Sequence, residues 1–401
     1  MKKTLITGIL IGLFVTLGTV AAVLYATGYR FEFDGQRGNY KFIEGTGILV
    51  TTSSPDGARV LVNNALTTAT NNTIDLAPGE YDVRIEKDGY LTWSKRIIIK
   101  KGLVSEANAF LLPTAPKLEA VTTIGVSNVV MDRSGTLLAY GVSSASASKN
   151  GVYVLNMSSG PFVFLGASGT QVADETIDKF SGANFTFSPD GKEILAELQK
   201  PTRYYLFLTD GRNQIPRNVS QTLSLIREEW EQQRRDAEKK TMDSLSVELR
   251  PIAKEFFGDM KLSGEQDKIL YTASAAATLS PILKKAVPSL NSTPDQRQIV
   301  KGNIYVYDIS EDKNYLIYNA SKLKESQEPP NYLWQADSSH LIFAQDGKIN
   351  IVEYDGGNLT TIYNGPFLDG LIFPWPNGRS IGMVSRLSET VPYNIYRISL
   401  Q

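Results

Sequence analysis

Two residue types that often build catalytic and metal sites are nearly missing from this chain of 401 residues. It has no cysteine, which excludes disulfides, zinc–cysteine sites and thiol catalysis. His340 is the only histidine, so a Ser-His-Asp triad must use it or not exist. No Gly-x-Ser-x-Gly motif supplies a nucleophile. We therefore interpret His340 as a turn or strand-edge residue, assign no catalytic residue and predict that the protein is not an enzyme.

An excess of charge of one sign is also missing. The chain carries 42 acidic and 41 basic residues, for a net charge of -1. An overall electrostatic attraction to nucleic acid is therefore not expected. We predict that nucleic acid is not a partner.

A long apolar run occurs at the N-terminus. Lys2 and Lys3 precede the uncharged segment Leu5–Ala26, which as a helix is long enough to cross a hydrocarbon core of about 30 Å. A cleaved signal peptide has a shorter apolar region, although residues 20–22 resemble a cleavage site and leave that alternative open. We expect a single-pass signal anchor in the cell membrane. The lysines favour a cytoplasmic N-terminus, with the bulk of the chain extracytoplasmic.

The proposed anchor, residues 1–28 with their cytoplasmic stub, contains a Gly-x-x-x-Gly motif. Gly8 and Gly12 form this pair, which allows close approach of two helices. We therefore consider a homodimer through these glycines, besides the bilayer contact of residues 5–26. The alternative is that glycine is simply frequent in transmembrane helices.

Short strand patterns separated by turns follow the anchor. Residues 29–46 alternate apolar and polar side chains, which indicates a β-rich stalk. Residues 47–113 contain further short strands without a helical period, which predicts a small β-sandwich.

Three turn motifs in the sandwich identify a resemblance. They are Pro55-Asp56-Gly57-Ala58, then Pro78-Gly79-Glu80-Tyr81, then Gly89-Tyr90. In this order they resemble the PEGA domain, although its usual Thr-Pro marker before the middle strand is missing and Thr68-Ala69-Thr70 stands nearby. The resemblance implies a surface-exposed β-sandwich of bacterial and archaeal envelope proteins, without catalytic residues.

Residues 117–401 repeat one unit, in which a tight turn ends the first strand and is followed by second and third strand patterns, with a fourth in the first four units. The turns are Asp132–Gly135, Ser188–Gly191, Ser263–Asp267, Ala336–Ser339 and Pro376–Gly378. Four strands per unit are typical of a propeller blade, and the Ser-Pro-Asp-Gly turn resembles TolB-type and tryptophan–aspartate-like repeats. Because the fifth unit ends after its third strand, we expect residues 118–124 to complete it. This favours five blades, while six or seven remain an alternative.

Two inserts enlarge blade three. Residues 221–257 follow a helical period with mixed charges, and residues 274–301 form a second insert. By the up-and-down order of blade strands, we expect both on the face opposite the Ser-Pro-Asp-Gly turns, where the helices would form a cap.

Ligand chemistry is sparse in the propeller. The turn residues Asp132, Asp190, Asp267 and Asp337 lack EF-hand spacing, so Asx-turn hydrogen bonding explains them better than calcium. We expect neither a metal nor a cofactor.

Aromatic residues offer a binding hypothesis instead. Trp334, Trp375 and Tyr332 lie near first strands and are candidates for a platform that stacks sugar or peptide. Trp230 is a further candidate for partner contact. The alternatives are core packing between blades for the first three, and docking of the helical insert for Trp230.

The combined prediction is an all-β protein with an N-terminal transmembrane helix, a PEGA-like sandwich, and a five-bladed propeller with a helical insert. We expect an envelope binding module whose partner is an envelope protein or a surface polysaccharide. The alternatives are a propeller-type hydrolase or lyase acting on envelope polysaccharide, and an extracytoplasmic sensor subunit.

Overall fold

The computed structural model describes residues 2–26, 32–33, 40–41, 45–143, 146, 148–158, 169–283, 291–323 and 328–401. The chain forms two compact units. The first comprises Met1–Thr114 with Leu283–Pro294, and the second comprises Ala115–Ile282 with Asp295–Gln401.

The first unit begins with helix α1, Lys2–Ala26, whose side chains from residue 11 to residue 23 are exposed. Strands β1, Glu32–Phe33, and β2, Tyr40–Lys41, pair antiparallel. Most of the predicted stalk lies outside the described residues. Among the helices that described residues form, none combines the length and the apolarity of a membrane span.

The rest of the first unit is a sandwich of two sheets. Its strands are β3 (Gly47–Ser54), β4 (Arg59–Val62), β5 (Ala65–Ala69), β6 (Asn72–Leu76), β7 (Gly79–Glu86), β8 (Trp93–Ile99) and β9 (Val104–Phe110). One sheet has the order β6-β3-β9 and the other β5-β4-β7-β8. Because alternate side chains of each strand point inward, residues such as Leu49, Val60, Ile85 and Ile97 form the core between the sheets.

The signature turn of the sandwich is closed by a threonine. Gly57 has a φ of 68°, a conformation that glycine adopts without steric cost. The Ala58 N–H donates to Thr70 Oγ1 at 2.9 Å, and Ala58 itself is fully buried. Thr70 therefore fixes the turn from the position where the Thr-Pro marker is missing.

A segment from late in the sequence belongs to the first unit. Strand β8 is an edge strand of its sheet, and the Ile98 N–H donates to Ser292 Oγ at 2.9 Å. Residues 284–290 of the predicted second insert lie outside the described residues.

The second unit contains, within its described residues, five four-stranded antiparallel sheets. After β10 (Leu118–Ala120), blade one has β11 (Ser127–Met131), β12 (Leu137–Val142), β13 (Gly151–Asn156) and β14 (Thr170–Asp174). Blade two has β15 (Asn184–Phe187), β16 (Glu193–Gln199), β17 (Thr202–Leu208) and β18 (Arg217–Asn218). Helices α2 (Leu223–Ser244) and α3 (Leu249–Phe256) follow.

The remaining three sheets follow the helices. Blade three has β19 (Phe257–Leu262) and β20 (Lys268–Ala273), then the hairpin β21 (Ala277–Thr278) and β22 (Gln298–Ile299), then β23 (Ile304–Asp308) and β24 (Lys313–Tyr318). Blade four has β25 (Leu333–Trp334), β26 (His340–Gln345), β27 (Lys348–Glu353) and β28 (Thr360–Asn364). Blade five has β29 (Ile372–Pro374), β30 (Ser380–Ser385) and β31 (Asn394–Ser399).

The fourth strand of blade five comes from the beginning of the unit. Strand β10 pairs antiparallel with β31, with Leu118 opposite Ile398. Arg397 of β31 also forms an ion pair with Glu119. The predicted closing strand is therefore confirmed, and it ties the two ends of the repeat region together.

The five first-to-second strand turns share one geometry. The N–H of their fourth residue donates to the carbonyl of the first at 2.9–3.1 Å, in the pairs Gly135–Asp132, Gly191–Ser188, Gln266–Ser263, Ser338–Gln335 and Gly378–Trp375. The donor residue is left-handed in each turn, with φ between 57° and 74°. Glycine occupies this position in three turns, whereas Gln266 and Ser338 occupy it in the others.

The helical insert occupies an unexpected place. On blade two, alternate residues of β16 pack either on blade one or on α2, where Ile226 and Trp230 contact Leu195 and Leu206. On blade three, one face packs on blade four. The other face packs against the helices through Leu249 and its neighbours.

The expected cap is therefore wrong. Helices above one end of a propeller would contact strand ends, but α2 and α3 cover the sheet faces of blades two and three. They are wedged between these two blades. At the interfaces of blades one and two, three and four, and five and one, the sheets pack directly on each other.

Candidate binding site beside blade three

The innermost strand of blade three is irregular at its centre. In β19, Gly258 pairs with Thr272 and Lys261 pairs with Leu270, so the register shifts between them. Asp259 lies in this bulge with a φ of 46°, a left-handed conformation that a residue with a side chain seldom adopts. Bulges of this kind re-aim side chains beside functional sites.

Lys261, two residues further on, links blade three to blade four. Its Nζ donates to Asn331 Oδ1 at 2.9 Å and to the Tyr332 carbonyl at 3.2 Å. Desolvation by the surrounding protein lowers the pKa of Lys261, and the nearby charge of Asp259 opposes this shift. The ammonium is thus held mainly by neutral oxygen atoms.

Blade one has a similar bulge with a different outcome. The register of β11 shifts between Ser127 and Val130, and Asn128 has a φ of 49°. The Asn128 side chain donates from Nδ2 to the Ala183 carbonyl at 2.8 Å. Ala183 precedes β15 as Tyr332 precedes β25, so both bulged strands bind the carbonyl that opens the next blade.

A cavity of about 770 Å³ lies beside the bulge of β19. Its lining includes Phe257, Asp259 and Lys261 from β19, with Glu238 from α2. Arg133, from the turn of blade one, also reaches this cavity. Tyr332 and Met242 add apolar surface. The volume is within the range of small-molecule sites, roughly 300–1,000 Å³.

Arg133, Glu238 and Asp259 are three charged residues of the cavity lining. Within the described part of the chain, the side chains of Arg133, Glu238 and Asp259 make no hydrogen bond or ion pair. All three are exposed to the solvent of the cavity or its rim. They are therefore available to a ligand without any rearrangement of an existing ion pair.

The aromatic candidates occupy different environments. Trp334 is half-buried, and its Nε1 donates to the Lys261 carbonyl at 3.0 Å. Tyr332 is 5% exposed and contributes to the cavity wall. Trp334 therefore supports β19, which lines the cavity, through a hydrogen bond to its backbone.

Trp375 and Trp230 lie in packing cores. Trp375 is 2% exposed and packs between blades five and one, and the Arg397 guanidinium lies 5.8 Å from its ring centre. Trp230 is 3% exposed between α2 and blade two. Direct stacking on a ligand is not available to either ring in this state, and their burial agrees with the packing alternatives.

His340 lies on the second strand of blade four. Its Nδ1 is 2.7 Å from Asp337 Oδ2. Burial by itself would lower the pKa of His340, but the hydrogen bond to Asp337 and the charges of Glu353 and Asp355 outweigh burial and raise it. This arrangement favours an imidazolium that holds a turn.

The charged residues that line the cavity were not among the sequence candidates, whereas Tyr332 was. Glu238 belongs to the mixed-charge helix, whose pattern indicates a solvated face. Asp259 gave no signal because a bulge with a left-handed aspartate has no distinctive sequence. Within the described residues, no group of three or more metal-ligating side chains is arranged to hold a metal ion.

Comparison with protein families confirms the PEGA resemblance of the first unit. The family model of the PEGA domain matches residues 46–114. A search of curated proteins finds no match to this chain.

Solved structures similar to the chain include two TolB proteins. Putative TolB from Agrobacterium tumefaciens shares 15% identity over 69% of this chain and 73% of that chain, with a TM-score of 0.21. TolB from Acinetobacter baumannii shares 14% identity over 89% of this chain and 64% of that chain, with a TM-score of 0.23. The Cps50 (Swd1) β-propeller domain of Myceliophteria thermophila shares 11% identity over 71% of this chain and 100% of that chain, with a TM-score of 0.28.

Because these TM-scores are low, the propeller assignment rests on the strand order of the five four-stranded sheets. No catalytic family is among these matches. Residues 46–114 thus match a PEGA domain in sequence and form a β-sandwich, and the second unit has the blade order of a β-propeller.

Proposed function

We propose that this protein is a membrane-anchored, extracytoplasmic binding module of the cell envelope. The observation that carries the proposal is the cavity beside blade three, where the side chains of Arg133, Glu238 and Asp259 make no hydrogen bond or ion pair to other described residues. The partner is an envelope protein, a segment of which enters this cavity. The PEGA match supports an envelope setting, because that domain is typical of envelope proteins.

The proposed anchor is the segment Leu5–Ala26, with the two N-terminal lysines on the cytoplasmic side. Fractionation of the full-length protein in its source cell tests this. We expect it to stay with membranes after alkaline carbonate washing, and a variant lacking residues 2–28 to be released. Recovery of the full-length protein in the soluble fraction would contradict the anchor.

A homodimer through the anchor is a separate proposal, supported by Gly8 and Gly12. Replacing both glycines by leucine should remove a crosslinked dimer of the membrane-bound protein. Equal dimer yields from the wild type and the variant would exclude this helix contact.

Photo-crosslinking in the cell tests the binding function. A photoreactive residue at Thr241, in the cavity wall, is expected to capture one envelope protein reproducibly. The control is the same residue at Leu359, which is 63% exposed on blade four and is not among the cavity residues. Capture of the same proteins at both positions would contradict recognition by the cavity.

The alternative function is a hydrolase or lyase acting on envelope polysaccharide. Two carboxylates, Glu238 and Asp259, lie in one cavity, which is the minimum for acid–base cleavage of a glycosidic bond. This alternative predicts that purified protein degrades polysaccharide and that Glu238→Gln or Asp259→Asn abolishes turnover. We expect no turnover by the wild type.

A further inference from the structure

We propose that the cavity beside blade three recognises a lysine or arginine side chain of a peptide segment. The cationic group would lie between the carboxylates of Asp259 and Glu238. This inference rests on the proposed binding function and gives the chemistry of its ligand.

The carboxylate of Asp259 takes no part in the contact between blades three and four. In blade one the left-handed residue is an asparagine, whose amide donates to the Ala183 carbonyl. An ionised aspartate is only an acceptor and cannot bind a carbonyl. In blade three Lys261 donates to the equivalent carbonyl of Tyr332, which leaves the Asp259 carboxylate without a protein donor among the described residues.

The cavity lining also contains two cationic side chains, Lys261 and Arg133. Two of the three donors of the Lys261 ammonium are used by Asn331 and Tyr332. Arg133 lies on blade one and forms no ion pair with either carboxylate. The charge of Lys261 acts on Asp259 without a hydrogen bond between them, so both carboxylates have no donor among the described residues. A ligand that supplies a cation forms charge-assisted hydrogen bonds, which are stronger than neutral ones.

Part of the cavity wall is apolar. Phe257 and Tyr332 are buried residues of the lining, and Met242 and Met260 are partly buried beside them. The aliphatic stem of lysine or arginine packs on such a surface while its charged end stays in a polar environment. Arg133, which also lines the cavity, can bind a backbone carbonyl or carboxylate of the same peptide.

The helical wedge is what creates this site. Glu238 belongs to α2, and Met242 lies one turn further along the same helix. This helix packs on blade two through Trp230 and against blade three through Met242, so part of the cavity wall is helical and carries an acidic side chain. A propeller interface with two sheets in direct contact would not present this pair of carboxylates.

Titration of the full-length protein with capped pentapeptides tests the inference. The probes carry lysine, norleucine or glutamate at the centre of four alanines, and glucosamine serves as a non-peptide amine. We expect the lysine peptide to bind at least about tenfold more tightly than the norleucine peptide, because one or two charge-assisted hydrogen bonds are added. Asp259→Asn and Glu238→Gln should each remove most of this preference.

The matched control is Asp243→Asn, which makes the same charge change on an exposed residue of α2 outside the cavity lining. It should leave the lysine preference unchanged. Norleucine binding as tight as lysine, lack of binding by the lysine peptide, or insensitivity to both cavity variants would overturn the inference. Glucosamine binding tighter than the lysine peptide would assign the carboxylates to an amino sugar and would also overturn it.

Failure of the inference is distinguishable from failure of the proposed function. If the Thr241 crosslink forms in the wild type and equally in Asp259→Asn, the cavity binds a partner without using a cationic side chain. If the wild type forms no crosslink at Thr241, the binding function of the cavity itself is wrong.

Discussion

The Lys261 ammonium donates to the carbonyl oxygen of Tyr332 across the interface between blades three and four, at 3.2 Å. Asn128 makes the corresponding bond to Ala183, at 2.8 Å, between blades one and two. In both cases the donor belongs to a bulged first strand. The same blade contact is therefore made by two different side chains, and this difference decides whether the left-handed residue faces a neighbour or the cavity.

The first prediction concerns the bulge of blade one, in which Asn128 holds the next blade. Asn128→Ala should lower the free energy of unfolding by about 2 kcal/mol, because it loses a hydrogen bond and places alanine at a left-handed φ. Asn128→Gly keeps the conformation accessible and loses the bond alone, so about 1 kcal/mol is expected. Urea unfolding of both variants measures the difference. Equal losses would show that the backbone conformation carries no cost.

The sequence predicted four strands per blade but could not reveal the bulges in the first strands. Turn geometry was predictable, because Pro and Gly at Ser188–Gly191 have few alternatives. A bulge depends on pairing with the second strand, which is a tertiary property. Asn128 and Asp259 therefore looked like ordinary polar residues of first strands, and the cavity acids were missed.

The second prediction tests the wedge. Trp230→Ala should lower the free energy of unfolding by about 3–5 kcal/mol, because the ring is buried between α2 and blade two. Leu225→Ala is the control on the same helix, since Leu225 is 65% exposed, and its effect should stay within about 0.5 kcal/mol. Thermal and urea unfolding both measure this. Similar small effects for the two variants would contradict a helix packed between blades.

The helices themselves were predictable, and their place was not. The period of Leu223, Ile226 and Trp230 marks one apolar face. That face must be buried, but periodicity does not say against which surface. Alternate residues of β16 and β17 are apolar on both faces, which also fits ordinary blade-to-blade packing. The choice between a neighbouring sheet and a helix was therefore open at the level of sequence.

The third prediction concerns the turn of blade three. Gln266 has a φ of 60° where three other blades have glycine, and its side chain is exposed. Gln266→Gly should therefore raise the free energy of unfolding by up to about 1 kcal/mol, as the relief of left-handed strain exceeds the added chain entropy. Glu265→Gly is the control in the same turn, where no left-handed strain exists, and it should lower stability. A loss of stability in Gln266→Gly would contradict the strain argument.

The fourth prediction concerns the pH dependence contributed by His340 and Asp337. The folded protein raises the pKa of His340 above its ordinary value of 6.5, against the opposing effect of burial, through the bond to Asp337 and nearby carboxylates. The stability contributed by the imidazolium is therefore complete below about pH 6.5 and is lost as pH rises through the folded pKa.

Asp337 behaves in the opposite sense. Burial would raise its pKa, but the hydrogen bond and charge of His340 hold it below the ordinary value of 3.8. Its contribution is present above about pH 4 and is lost as pH falls through the lowered pKa. The pair should thus stabilise the protein most between about pH 4 and pH 6.5.

Urea unfolding of the wild type and of His340→Gln across pH 3.5–9 measures this. We expect a difference in the free energy of unfolding of about 1.5–3 kcal/mol at pH 5, typical of a buried hydrogen bond between charged groups, and a clearly smaller one at pH 9. Asp210→Asn, at an exposed carboxylate, is the control and should show no such profile. A difference that stays constant from pH 5 to pH 9 would mean that His340 contributes packing alone.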